Sequence, residues 1–153
     1  MIKTTSRYVW TLLWGALLLG SWAVVATAAP KGKAVFADSK GVAIRGYDPV
    51  AYFAQKKAIK GKAEHAHRYG GASWWFVSAK NKAAFVAHPE RYMPQYGGFC
   101  AFAMAQGKRV PIDPKAWSLV KGKLYLNYSK GVQAKWEKER DALIKKADAH
   151  WSK

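Results

Sequence analysis

The chain has 153 residues, 26 lysines and arginines against nine acids, and a formal net charge of +17. It holds one cysteine, which excludes an internal disulfide, a Cys-x-x-Cys redox pair and a multi-cysteine zinc cage. So basic a balance favours anionic partners: lipid headgroups, acidic envelope polymers or nucleic acid.

The N-terminus reads as a secretory signal peptide over residues 1–28. Lys3 and Arg7 precede an apolar run from Val9 to Val25 interrupted by Thr11 and Ser21, and Ala26-Thr27-Ala28 supplies an A-x-A cleavage site. The alternative is an uncleaved anchor, since the run is long. Cleavage would leave 125 residues with 24 basic and nine acidic side chains, a net charge of +15. That is one domain's worth of chain. Export to the periplasm or beyond makes nucleic acid the least expected anionic partner.

Residues 29–40 read as an N-terminal arm and 41–153 as the domain. Val42 and Ile44 alternate like a short strand, and Asp48-Pro49 starts a turn or helix in which Asp48 caps the helix or ligates an ion. Lys56 to Lys62 is basic, carries Gly61 and reads as an exposed loop. In an extended Glu64–Tyr69 segment, His65, His67 and Tyr69 would share one face. Gly70-Gly71 then turns the chain into the aromatic Ser73–Val77, which predicts a hairpin.

Ser78 is placed to cap a helix over Ala79–Ala87. Pro89 suits the first turn of a short helix, Pro94 stops it, and Gly97-Gly98 permits backbone angles closed to other residues. Phe99 to Ala105 is wholly apolar and predicts a buried element carrying the only cysteine. Lys121-Gly122-Lys123 between two apolar runs predicts a second hairpin. Ser129 caps a last helix, read as continuous from Lys130 to about Ala149, with Val132, Trp136, Leu143, Ile144, Ala147 and Trp151 on one side. No internal repeat is evident in the sequence. The class expected is α+β: a small antiparallel sheet of hairpins with three to four helices, the C-terminal one long.

Taken together, Gly46-Tyr47-Asp48-Pro49-Val50-Ala51-Tyr52-Phe53, Trp75-Phe76-Val77-Ser78, Phe85, Pro89-Glu90-Arg91-Tyr92, Tyr96-Gly97-Gly98-Phe99-Cys100-Ala101 and Leu124-Tyr125-Leu126-Asn127-Tyr128 resemble the exported YHS-domain proteins. The resemblance covers about residues 41 to 151. It implies a small α+β domain and a link to transition metals, copper especially, but no particular reaction. The family's Phe-Cys-Ser-x-x-Cys motif is not kept: Val77 and Asn81 stand where its cysteines would be. The Tyr-His-Ser of the family name falls near His65-Ala66-His67.

The residues themselves offer a metal site built from Cys100, Met104, His65 and His67. Thiolate and thioether are soft donors suited to Cu(I), and imidazole serves copper and zinc. Cys100 and Met104 would lie one helical turn apart. Against this, free cysteine and methionine are common core fillers, and Arg68 beside the histidines opposes a cation. His88 reads as a helix-end residue, and His150 lies in a terminal turn. No Ser/His/Asp order, phosphate-cradling loop or paired carboxylate motif occurs. Two other readings stand beside the metal-binding module: a thiol-dependent enzyme using Cys100, and a basic protein associated with envelope polymers or lipid headgroups.

Overall fold

The structure is a computed structural model, and it describes residues 34–152. The signal-peptide reading of residues 1–28 lies outside them. Among the described residues no helix is long and apolar enough to cross a membrane. Six α-helices and two antiparallel hairpins make an α+β architecture: α1 Pro49–Ala54, β1 Lys62–Tyr69, β2 Ala72–Phe76, α2 Ala79–Ala87, α3 Pro89–Tyr92, α4 Ala101–Met104, β3 Asp113–Val120, β4 Lys123–Asn127, α5 Lys130–Lys138 and α6 Arg140–Trp151. The hairpins stay in separate two-stranded sheets rather than joining into one.

Both hairpins close through two-residue turns, Gly70-Gly71 and Lys121-Gly122, with positive φ at each position. Such turns match the right-handed twist of the strands they join. In each, the first strand carries a wide irregularity. Lys62 pairs with Phe76 and His67 with Trp74, while Asp113 pairs with Asn127 and Trp117 with Leu126. Three residues of the first strand are therefore left over in both cases.

These shared features belong to a repeat that the sequence hides. An eight-residue strand, a two-residue turn, a five-residue strand, a serine cap and a nine-residue helix occur twice, 51 residues apart. Ser78 accepts from the N–H of Asn81, and Ser129 accepts from that of Val132. Phe85 and Trp136 are the equivalent core aromatics, both fully buried.

Upstream of each hairpin the correspondence continues at a spacing of 52. Ile44–Gly46 and Tyr96–Gly98 are left-handed turns with φ of 41°, 57°, 76° and 57°, 61°, 89°. Each leads into a short helix. Asp48 N donates to Ile59 O at 2.9 Å, and its counterpart Cys100 N donates to Val110 O at 3.0 Å. Only a few identities, among them Gly71 with Gly122 and Ser78 with Ser129, survive between the copies.

The two left-handed turns also decide the start of the fold. Val42 and Ile44 do not form the predicted strand; Val42 and Ala43 make isolated bridges, to Ser73 and Ala37, and Ile44 opens the turn itself. The segment from Ala34 is docked between the turns, with Phe36 N on Gly97 O and Ile44 N on Phe36 O. Gly97 is required there, because a Cβ would strike the Ala34 carbonyl. Phe36 lies in the main core with Trp74, Phe76, Phe85, Ile112, Leu124 and Leu126.

A second core cluster gathers Tyr96, Met104, Tyr125, Trp136 and Ala147. Its shape explains why the C-terminal helix is not continuous. The chain breaks at Glu139 (φ −124°), so that α5 can lie on β3–β4 while α6 turns across α4. Tyr96 Oη ties α6 down by donating to Asp148 Oδ1 at 2.9 Å.

Candidate functional site

Asp48 is fully buried at the N-cap of α1. Its Oδ1 accepts from Val50 N (2.7 Å) and Ala51 N (3.2 Å), the capping role that its position before Pro49 predicts. Its Oδ2 accepts from Val77 N at 2.8 Å and Asn81 Nδ2 at 2.7 Å. Residues 77 and 81 are the positions at which the resemblance to YHS-domain proteins implies cysteines. Here they converge on one carboxylate, whose charge is met by four N–H donors and a helix N-terminus. This clamp between α1 and α2 was only half legible: the cap is local, but its partners lie 29 and 33 residues away.

Cys100 occupies the equivalent N-cap position in the second copy and is 1% exposed. Its thiol donates to Asn127 Oδ1 at 3.7 Å, and the same oxygen accepts from Phe102 N at 3.2 Å. Asn127 thus serves the first turn of α4 much as Asp48 serves α1, while its own Nδ2 is buried without a partner. Met104 sits one turn beyond Cys100, as expected, with its N–H on Cys100 O. Its side chain joins the second core cluster, whereas Cys100 belongs to the first.

The histidines lie on β1. His67 Nε2 and Nδ1 are borne on a ring packed edge-on to Phe85, with centroids 6.5 Å apart. Burial, and then the Lys82 ammonium, push its pKa below the usual imidazole value. The ring is therefore neutral at pH 7, with a nitrogen lone pair available. His65 pairs instead with Glu64 at 3.7 Å, near the surface. The alternation that would put His65 and His67 on one face is regular only from His67 to Tyr69, because the ladder is broken between Lys62 and His67. An open groove of about 320 Å³ runs beside His67, lined also by Arg68, Tyr69, the Gly70-Gly71 turn, Val86 and Pro89. Burial, and then Glu90, keep the Tyr69 phenol protonated.

The four expected metal ligands are therefore not brought together. Cys100 and Met104 are sealed in separate clusters and the imidazoles lie on β1. Among the described residues no three His, Cys, Asp or Glu side chains group so as to hold a metal ion. A closed thiolate–imidazole centre does not fit these positions.

What has been assembled is a small α+β domain of two like units, with a buried carboxylate clamp in the first, a sealed thiol in the second and an imidazole at a surface groove. Residues 50–96 match the family model of the YHS domain, so the chain carries a YHS-domain stretch there. The matched stretch starts in α1 and ends in the second left-handed turn, which makes it nearly coextensive with the first unit. No curated protein and no solved structure matches the chain.

Proposed function

We propose that this is an exported, non-catalytic binding module whose ligand is a transition-metal ion, copper leading, taken at the surface of β1 through His67 with His65. The observation that carries the reading is the His67 ring, held unprotonated by burial and Lys82 at the edge of an open groove. Imidazole must be neutral to bind a metal, and with nitrogen donors Cu²⁺ outranks the other divalent first-row ions. Two protein donors make an open, exchangeable site, suited to passing an ion on rather than storing it. Cys100 and Met104 serve packing in this reading. A thiol-dependent reaction is not supported, because the Cys100 sulfur is sealed.

Calorimetric titration of the purified protein with Cu²⁺ and Zn²⁺ tests this. His65→Ala/His67→Ala should weaken Cu²⁺ binding at least about tenfold, a change of about 1.4 kcal/mol, while Cys100→Ala leaves it unchanged. Unchanged affinity in the double histidine variant would overturn the assignment, as would a loss confined to Cys100→Ala. Because the His67 pKa lies below the ordinary value of about 6.5, binding should persist on acidification to about that pH and decline below it.

One observation favours a second reading, association with anionic envelope polymers or lipid headgroups. The described residues contain 21 lysines and arginines against nine acids, and only Lys62 and Arg140 form ion pairs among them.

A further inference from the structure

The two units differ most in chemistry at one place, a cleft of about 380 Å³ lined by Arg45, Ile112, Asp113, Pro114 and Tyr128. It lies on the seam between the copies. Arg45 comes from the left-handed turn of the first unit, where the second has Gly97. Asp113 and Tyr128 come from the second, where the first has Lys62 and Val77. A cation, an anion and an aromatic ring thus replace a glycine, a lysine and a valine within one hollow.

Arg45 is held in place. Its backbone sits at φ 57° between Ile44 at 41° and Gly46 at 76°, a conformation that costs a non-glycine residue about 1 kcal/mol or more. That turn drives Ile44 inward and Arg45 outward. Arg45 Nε donates to Ile112 O at 2.9 Å, and the guanidinium stands 6.0 Å from the Phe36 ring centroid. Its two Nη groups have no protein partner among the described residues. Asp113 Oδ1 accepts from Lys115 N at 2.9 Å, and Oδ2 accepts from no donor among the described residues. Although they line the same cleft, Arg45 and Asp113 form no ion pair. Tyr128 is 57% exposed, one of two large hydrophobic residues so open to solvent among those described.

We propose that this seam cleft binds a small zwitterion, a free α-amino acid with an apolar side chain. The Arg45 fork takes the carboxylate bidentately, Asp113 Oδ2 takes the ammonium, and the exposed Tyr128 ring, beside Pro114, covers the apolar part. A simple anion would be opposed by Asp113 and a simple cation by Arg45. The cleft is at the small end of the range for ligand sites, which suits a single amino acid.

The test is a two-dimensional NMR titration of the purified protein with L-phenylalanine, phenylalaninamide and N-acetylphenylalanine, run with a chelator so that metal binding does not enter. L-Phenylalanine should give saturable shifts at residues 45, 113 and 128. Each blocked analogue, Arg45→Gln and Asp113→Asn should bind at least about tenfold more weakly, a change of about 1.4 kcal/mol. Asp113→Asn retains the Oδ1 contact with Lys115, and Tyr128→Ala alters an exposed side chain, so both variants keep the fold. Tyr128→Ala should also weaken binding. Absence of saturable shifts at millimolar ligand, or equal affinity for the blocked analogues, overturns the proposal.

Discussion

Asp48 joins the cap of α1 to Val77 and Asn81 through one carboxylate, and this makes it the residue that fastens α1 to the start of α2. Asp48→Asn keeps a carbonyl for Val50 and Ala51 but turns an amide donor toward the Val77 N–H and Asn81 Nδ2. A buried donor and a part-buried one lose their acceptor, a loss of about 2–4 kcal/mol. Adding Asn81→Asp restores an acceptor to that pair and should recover about 1 kcal/mol or more. Urea unfolding midpoints of the two variants check this, and a double variant no more stable than the single one would show that the contact is not what holds α1 to α2. Caps were the most legible residues in the sequence, since Ser78, Ser129 and Asp48 each act on N–H groups two or three positions on. The direction of the Cys100 sulfur was not legible, because it depends on Asn127, brought in by a strand 27 residues away.

At the scale of elements, the two hairpins could be read because a two-residue turn between apolar runs leaves few alternatives. The repeat could not: it is carried by lengths, turn angles and cap positions, with few identities to betray it. Nor could the pinning of the basic segment from Lys56 to Lys62. Its lysines 56, 57 and 60 are exposed as expected, but its backbone is fastened to the first turn by Asp48 N on Ile59 O and Gly61 N on Gly46 O. Gly61 lies directly against the backbone of Trp75 and Phe76, where a Cβ has no room and no flexible side chain can yield. Gly61→Ala should therefore cost about 3 kcal/mol. Gly122→Ala is the contrast, since φ is +73° with open space around it, and left-handed backbone alone costs about 1–2 kcal/mol. Thermal unfolding of the two variants separates close approach from conformational preference. Equal losses would show that the Lys56–Lys62 segment is not packed on β2.

For the molecule as a whole the governing quantity is the unbalanced positive charge, and it acts in two directions that salt can distinguish. Within the fold, 21 cations with only two paired to carboxylates repel one another, which works against the compact state. Towards an anionic surface the same charges add. The Debye length falls from about 10 Å at about 0.1 M salt to about 3 Å at about 1 M, so screening weakens both effects together. Raising salt from about 0.05 M to about 0.5 M should thus raise the melting temperature while releasing the protein from phosphatidylglycerol vesicles. A groove that read headgroup chemistry would instead hold its ligand as the general field was screened. Binding that survived high salt would therefore transfer the interaction from the distributed lysines to a built site, and a melting temperature that fell with salt would show that the ion pairs outweigh the repulsion.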